Sequence, residues 1–306
     1  MKKILVTDSL FIFDEHVKQI EAAGYEVERL DKPEATEEEL IEALKGKSGY
    51  ILGGIEKVTD KVLQSTDQLK AIAFTGADWE FFIPGWKTAK QKGIAIANSP
   101  GANSVAVAEF SMSVALTMQR NLLELGRTGD KAFETTKSFQ NSTIGVIGAG
   151  KIGSEIIAMA RPFHPEEIVY YSRSQKKGLG AEYSELDDLL AKSDVIFVCV
   201  PESAGQLLNK DAIARIKKGT LIVSISAKAI IDFDSLLPRL KSGDLRAAID
   251  WAPPSEEYKE LPLHIWFNSN DHAAYNTFAA NKIGSDMGTQ SLINLLETSE
   301  DQYRVI

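Results

Sequence analysis

Three glycines in the second half of the chain have the spacing of a phosphate-binding turn. Gly148, Gly150 and Gly153 occur in the segment GAGKIG, with Lys151 and Ile152 between the last two. The segment directly follows the apolar, β-prone run TIGVI and opens the helix-like run SEIIAMARPF. In this context the first glycine permits a tight turn, the second lets a pyrophosphate approach the backbone, and the third lets helix and strand pack closely. The motif predicts dinucleotide binding; the alternative is an ordinary strand–helix turn.

The end of the next candidate strand, IVYYS, indicates which dinucleotide is bound. An NAD-binding unit usually carries an acidic residue there, about 20 residues after the motif begins, to bind the ribose 2′-hydroxyl. No acidic residue lies between Ile168 and Ala181. Arg173 can instead pair with a 2′-phosphate, and the hydroxyls of Ser172 and Ser174 can donate further hydrogen bonds. We therefore expect NADP(H) in preference to NAD(H); the alternative is a solvated basic loop.

Short apolar segments alternate with amphipathic ones along most of the chain. The candidate strands before the glycine motif are 3–7, 25–30, 49–54, 69–76 and 94–98. The later ones, the first of which leads into the motif, are 143–148, 167–172, 194–200, 220–226, 246–251 and 264–269. Thr36 and Glu39 have the spacing of a capping box and predict a helix between two of the early strands. This alternation predicts an α/β fold, with parallel sheets covered by helices on both faces.

Two longer helices are predicted outside this alternation. The first spans about residues 104–125, and its first half, VAVAEFSMSVALTM, is apolar on nearly every side. A helix of that kind is usually buried, either in a core or between subunits. The second spans about residues 277–297 and has no strand after it. We expect it to run back and pack on the first series of strands.

Length, charge and cysteine content exclude several classes of protein. The 306 residues suggest two domains. A net charge of −9 and a pI near 5.1 argue against a nucleic-acid partner, and no apolar run is long enough to cross a membrane. Cys199 is the lone cysteine and lies in the apolar run VIFVCV, which indicates an inert thiol and a cytoplasmic location. The four histidines lack metal-ligand spacing, so no metal site is expected.

Taken in order, these features resemble the D-2-hydroxyacid dehydrogenase family of NAD(P)-dependent oxidoreductases. The resemblance covers nearly the whole chain and is carried by the segments 74–82, 92–110, 193–209, 217–236, 245–254 and 268–274. It implies two doubly wound parallel-sheet domains. A Rossmann dinucleotide-binding domain, residues 103–275, is inserted in a flavodoxin-like substrate domain made of residues 1–102 and 276–306. The resemblance also implies a homodimer through the helix at 104–125.

The resemblance assigns roles to individual residues of the second domain. His272 matches the family's histidine, which protonates the carbonyl oxygen as hydride reaches the carbon. Asp250 matches the aspartate that usually contacts the nicotinamide amide; the alternative is a strand-end carboxylate that caps a turn. Val200 and Pro201 match positions beside the cofactor, and Ser226 lies in the next segment of the same site.

Two loops of the first domain match places where family members bind the substrate carboxylate through backbone N–H groups. These are residues 53–55, which include Gly53 and Gly54, and residues 75–77, which include Gly76. Adjacent glycines allow a ligand to approach the backbone closely. The alternative is two tight turns at strand ends.

Two side chains of the family's catalytic set do not carry over. Ala227 occupies the position of the arginine that clamps the substrate. The neighbouring Lys228 is charged but cannot make the bidentate hydrogen bonds of a guanidinium. Ser255 occupies the position of the glutamate that orients the histidine, and Glu256 follows it. The resemblance thus implies an NADP(H)-dependent oxidoreductase for a 2-oxo acid or a divergent carbonyl or imine compound, with Lys228 and Glu256 as candidate catalytic residues. The alternative is a non-catalytic NADP(H)-binding sensor or scaffold that kept the fold.

Overall fold

The chain folds into two compact units, residues 1–103 with 277–306, and residues 104–276. This computed structural model describes residues 1–7, 11–32, 34–129, 136–252, 255–269 and 273–306. Each unit is an α/β domain built on a parallel sheet, and each has two apolar core clusters. The predicted fold class, two doubly wound parallel sheets, is confirmed.

The first unit contains a five-stranded sheet in the order β2-β1-β3-β4-β5, with every neighbouring pair parallel. Its strands are β1 (Lys2–Thr7), β2 (Tyr25–Leu30), β3 (Lys47–Leu52), β4 (Ala71–Phe74) and β5 (Ala95–Ala97). Its helices before the second unit are α1 (Asp14–Ala22), α2 (Glu37–Ala43), α3 (Asp60–Ser65), α4 (Trp79–Phe82) and α5 (Trp86–Gln91). The predicted capping box forms at the start of α2, where Glu39 N–H donates to Thr36 Oγ1 and Thr36 N–H donates to Glu39 Oε2.

The second unit contains a seven-stranded parallel sheet in the order β12-β11-β10-β9-β6-β7-β8. Its strands are β6 (Thr143–Ile147), β7 (Glu167–Tyr171), β8 (Glu182–Tyr183), β9 (Val195–Val198), β10 (Thr220–Ser224), β11 (Leu245–Ile249) and β12 (Trp266–Asn268). Its α-helices are α6 (Ser104–Gln119), α7 (Leu122–Thr128), α8 (Lys151–Ala160), α9 (Leu186–Lys192), α10 (Lys210–Arg215), α11 (Phe233–Lys241) and α12 (Glu256–Lys259). Single 3₁₀ turns lie at Arg161–Phe163, Glu202–Ala204, Lys228–Ile230 and Ala273–Tyr275.

The central strands of the second sheet, such as β9 and β10, are buried on both faces. Leu221 and Val223 of β10 belong to one core cluster, and Ile222 between them belongs to the other. This alternation follows from the period of two in a strand, and it explains why buried parallel strands read as continuous apolar runs. The sequence did not predict β8, which has two residues and pairs only with Val169 and Tyr170.

The helix expected at 104–125 is two helices. Helix α6 ends at Gln119, and Asn121 adopts a left-handed conformation with φ of 53° before α7 begins. Within the single chain, this helix is not buried on every side. One side packs on the second unit, whereas Val105 is 49% exposed and Phe110 and Val114 are only partly buried.

The last helix, α13 (Phe278–Glu297), packs on β3, β4 and β5 of the first unit. Glycines let it approach β4 closely: a Cβ on Gly284 would lie 2.4 Å from Thr75 O. Ser99 Oγ donates to Gly284 O at 3.0 Å and fixes the same contact. Among the residues described, no helix is both long and apolar enough to span a bilayer.

Candidate active site

The glycine motif forms the turn between β6 and α8. Gly148 has φ of 103°, a conformation that favours glycine, and a Cβ there would lie 2.4 Å from Cys199 O. A Cβ on Gly153 would lie 1.9 Å from Gly148 O. Both glycines are therefore required by the packing of the turn against its own helix and against the residues after β9.

Gly150 differs from the other two glycines because its side-chain position faces open space. No atom lies within 4 Å of a Cβ built there. Gly150 caps α8, and the first turn of that helix, which begins at Lys151 and Ile152, offers N–H groups that no carbonyl within the helix accepts. An open space in front of a helix N-terminus fits the pyrophosphate of a dinucleotide.

The residues after β9 close one side of this turn. Ser226 Oγ accepts a hydrogen bond from Val200 N–H at 2.9 Å and donates to Val198 O at 3.2 Å, so it ties the end of β10 to the end of β9. Cys199 Sγ donates to Gly148 O at 3.1 Å, and burial raises the pKa of this thiol to about 12. The thiol is therefore neutral at physiological pH and braces the glycine turn. Pro201, which follows, is exposed.

The loop after β7 carries the expected basic side chain. Arg173 is exposed, and no carboxylate of the described residues forms an ion pair with it. Ser172 Oγ donates to Ser174 O at 2.5 Å. The buried Tyr170 hydroxyl donates to Lys176 O at 2.9 Å and accepts from Lys176 N–H at 2.7 Å, and so anchors the loop. The loop thus holds an unneutralised guanidinium at the end of the strand that follows the glycine motif.

Asp250 follows β11 and is 5% exposed. Its Oδ1 accepts hydrogen bonds from Ser269 Oγ at 2.7 Å and from Ala274 N–H at 3.3 Å. These two partners lie on either side of residues 270–272, which include His272 and lie outside the described part of the chain. Asp250 therefore joins both described ends of the segment that carries the histidine. Ser269 could not be found from the sequence, because its role depends on a hydrogen bond between residues 19 apart.

Lys228 and Glu256 lie in different surroundings. Lys228 begins the 3₁₀ turn after β10, and its Nζ lies 5.3 Å from the ring centroid of Trp251, the residue after Asp250. Glu256 begins α12, its side chain is 85% exposed, and its Oε1 forms an ion pair of 2.7 Å with Lys259. Among the described residues, no hydrogen bond or ion pair joins Glu256 to another candidate site residue. The structure thus places Lys228 beside the ring of Trp251 and leaves Glu256 in solvent.

The loops assigned to the substrate lie in the first unit, after β3 and β4. Gly53 N–H donates to Thr7 Oγ1 at 3.3 Å, so this amide already has an acceptor within the protein. Gly54 is buried, and its N–H has no acceptor among the described residues. Gly76 O accepts from Ser99 N–H at 2.9 Å, which fixes the second loop. The 53–55 loop therefore offers fewer open amides than its sequence suggested.

A cluster of possible metal ligands, Glu15, His16 and Asp286, lies in the first unit. His16 is buried, and its Nδ1 accepts from Phe13 N–H at 2.9 Å. The neutral imidazole must then carry its proton on Nε2, which donates to Asp286 Oδ1 at 2.7 Å. His16 is thus a link between α1 and α13, and its Nε2 has no lone pair to offer a metal ion.

Comparison with known proteins places this arrangement among enzymes of one family. The family model for the NAD binding domain of D-isomer specific 2-hydroxyacid dehydrogenases matches residues 111–270. A D-3-phosphoglycerate dehydrogenase of Methanocaldococcus jannaschii is 29% identical, over 97% of this chain and 58% of that protein. A hydroxypyruvate reductase of Thermotoga maritima is 31% identical, over 74% of this chain and 78% of that protein.

The likeness extends to a solved structure. The structure of D-2-hydroxyisocaproate dehydrogenase superposes on this chain with a TM-score of 0.84, over 99% of each chain and at 24% identity. At that identity the likeness supports the fold alone. The chain matches 58% of the length of the Methanocaldococcus relative, which is little more than half.

Proposed function

We propose that this chain, which belongs to the D-isomer specific 2-hydroxyacid dehydrogenase family, is an NADP(H)-dependent oxidoreductase that reduces the carbonyl of a small molecule. The substrate is a 2-oxo acid or a divergent carbonyl or imine compound. The observation that carries the proposal is the glycine turn, in which Gly148 and Gly153 are fixed by packing and Gly150 faces open space.

The cofactor preference rests on the loop after β7. A carboxylate at this place would bind a ribose 2′-hydroxyl and repel a 2′-phosphate. Arg173 instead presents a guanidinium without an ion-pair partner among the described residues, in a chain of net charge −9. A guanidinium binds phosphate through two parallel hydrogen bonds. NADPH is therefore the preferred reductant.

The roles of the remaining residues follow from their chemistry. Bound NADPH supplies the hydride. His272 donates the proton to the carbonyl oxygen, because imidazole titrates near neutral pH. Asp250 holds the segment on either side of His272 through Ser269 and Ala274, and accepts from the nicotinamide amide. Ala227 cannot supply a positive charge near the substrate, and Lys228 supplies it instead. Its ammonium is a point charge and lacks the two parallel hydrogen bonds of a guanidinium.

The substitution Arg173→Glu tests the cofactor preference. We expect it to raise the KM for NADPH about 30- to 150-fold, since it removes a charge-assisted pair worth about 2–3 kcal/mol. The KM for NADH should stay unchanged or fall. The measurement is steady-state oxidation of each cofactor with a panel of 2-oxo acids, simple ketones and imines.

Lys210→Glu is the matched control for this test. Lys210 is an exposed residue of α10 in the same unit, so the substitution makes the same charge change away from the loop. It should leave both KM values unchanged. Equal effects of Arg173→Glu on NADPH and NADH would contradict the NADP(H) preference.

A second candidate function is a sensor or scaffold that binds NADP(H) without turnover. It is favoured by Ala227 in place of the family's arginine and by the ion pair that holds Glu256 on Lys259. Tight NADPH binding with no oxidation across the whole carbonyl panel would support it. Specific turnover of any one substrate would exclude it.

We also propose that the chain forms a homodimer through the region 104–125. Its exposed side presents Val105, Leu122 and Leu123, whose exposed fractions are 49%, 52% and 37%. Exposed apolar side chains are typical of protein interfaces. We expect light scattering at micromolar concentration to give twice the chain mass of 33.6 kDa.

The substitution Leu122→Asp tests this surface. It should shift the mass towards a single chain, because an interface must desolvate the new carboxylate. Ile283→Asp, on an exposed part of α13 in the other unit, is the control and should leave the mass unchanged. A monomeric wild-type protein under these conditions would contradict the proposal.

A further inference from the structure

A chain of buried polar side chains lies under the 53–55 loop of the first unit. Thr7 ends β1, Tyr50 lies within β3, and Glu56 follows the loop. The exposed fractions of these three residues are 0%, 0% and 1%. Thr7 Oγ1 lies 3.1 Å from the Tyr50 hydroxyl, which donates to Glu56 Oε1 at 2.6 Å. We call these three residues the buried chain.

The buried chain reaches the backbone of the loop at one point. Gly53 N–H donates to Thr7 Oγ1 at 3.3 Å. The Tyr50 hydroxyl gives its single hydrogen to the carboxylate, so in the 3.1 Å contact with Thr7 the Tyr50 oxygen is the acceptor; Ile51 O, at 3.4 Å, is a second and longer acceptor for the Thr7 hydroxyl. The donors then all point one way, from Gly53 through Thr7 and Tyr50 to Glu56.

Burial keeps the middle of the buried chain neutral. The pKa of Tyr50 lies well above its ordinary value because the phenol is buried and because Glu56 is adjacent. The phenol therefore remains a donor over the whole working range of pH. Buried polar groups are costly unless they are hydrogen-bonded, so the bonds from Thr7 to Tyr50 and from Tyr50 to Glu56 favour one local conformation.

The buried chain selects which amides of the loop remain for a ligand. Gly53 N–H is directed at Thr7 and is occupied. The N–H groups of Gly54 and Ile55, which we call the open amides, have no acceptor among the described residues. The turn that directs the first amide inward thus also sets the position of the open amides.

We propose that Thr7, Tyr50 and Glu56 are positioning residues that hold the open amides in place for the carboxylate of the substrate. The inference rests on the proposed function in taking the substrate to carry a carboxylate. The three residues do not touch the reacting atoms. They act through the backbone of Gly53, and their loss weakens carboxylate binding without affecting the dinucleotide.

The test uses the full chain with NADP⁺ and oxalate as the probe for a carboxylate next to an oxo group. Oxalate should shift the ¹⁵N–¹H resonances of the open amides in the wild-type protein. Tyr50→Phe keeps the ring and removes the hydroxyl, and Thr7→Val removes the acceptor of Gly53 N–H. Each should weaken oxalate binding about 5- to 30-fold, since a buried hydrogen bond is broken, and each should speed hydrogen exchange at Gly53 N–H.

Two further variants separate positioning from general loss of structure. Thr7→Ser retains the hydroxyl and should restore oxalate binding to within about twofold of wild type. Tyr25→Phe removes a hydroxyl from another buried tyrosine of the same unit and should change neither oxalate binding nor Gly53 exchange. The dissociation constant for NADP⁺ should be the same in all variants.

The outcomes distinguish this inference from the proposed function. Unchanged oxalate binding in Tyr50→Phe, or no oxalate shift at the open amides of the wild-type protein, overturns the inference. Oxalate binding that depends on the buried chain, together with no oxidation of NADPH by any carbonyl compound, overturns the proposed function and leaves the inference standing.

Discussion

Replacing Gly150 with alanine is expected to abolish dinucleotide binding and to leave the unliganded protein as stable as wild type. Gly150 has φ of −80° and ψ of −160°, a conformation open to alanine, and nothing lies within 4 Å of the added methyl group. The free energy of unfolding should therefore change by less than about 1 kcal/mol. The methyl group would occupy the space left for a pyrophosphate, so NADPH binding should weaken about a hundredfold or more.

Gly153→Ala, in contrast, is expected to lower the stability of the unliganded protein as well as to abolish dinucleotide binding. Its Cβ would lie 1.9 Å from Gly148 O, a backbone atom that cannot move without disturbing the turn. The free energy of unfolding should fall by about 3 kcal/mol or more, and NADPH binding should be lost with it. Urea unfolding of the unliganded protein and NADPH fluorescence titration measure the two effects separately.

Gly126→Ala provides the control for both variants. Gly126 lies within α7 of the same unit, and no atom approaches its side-chain position within 4 Å. Alanine in a helix should stabilise the protein slightly and leave NADPH binding unchanged. If Gly150→Ala bound NADPH as wild type does, the glycine turn would be a structural turn and the proposed cofactor site would be wrong.

The parts of the fold that the sequence predicted are those encoded by neighbouring residues. The capping box of α2 forms as expected because Thr36 and Glu39 lie one helical turn apart and need no other part of the chain. The alternation of apolar segments likewise indicated the parallel strands, because both faces of each sheet are buried. Spacing and local composition were sufficient for these features.

The parts that the sequence did not predict depend on pairing between distant residues. Strand β8 is too short to show a period and exists through its pairing with β7. The division of the 104–125 region rests on the left-handed Asn121, and asparagine adopts that conformation only occasionally. The bonds of Asp250 to Ser269 and Ala274 join residues 19 and 24 apart, which no local motif encodes.

The distinction between enzyme and sensor turns on His272, for which we expect a large loss of turnover on substitution. His272→Ala should lower kcat for carbonyl reduction about 10²- to 10⁴-fold, the range for removal of a general acid. The dissociation constant for NADPH should not change. His264→Ala replaces a partly buried histidine of the same unit and should leave kcat unchanged. Unaltered kcat in His272→Ala would exclude the assigned mechanism.

The pH dependence of the same reaction tests whether Glu256 forms an ion pair with His272. Reduction requires the protonated imidazole, so kcat/KM should fall as pH rises through the pKa of His272. A neighbouring carboxylate raises the pKa of a histidine.

If Glu256 exchanges its ion pair with Lys259 for one with His272, Glu256→Gln should move this fall in kcat/KM to lower pH. Glu257→Gln, whose carboxylate pairs with Lys241 on α11, is the control and should leave the profile in place. An unchanged profile in Glu256→Gln would confine Glu256 to the surface of α12 and leave Lys228, whose Nζ lies near Trp251, as the remaining candidate.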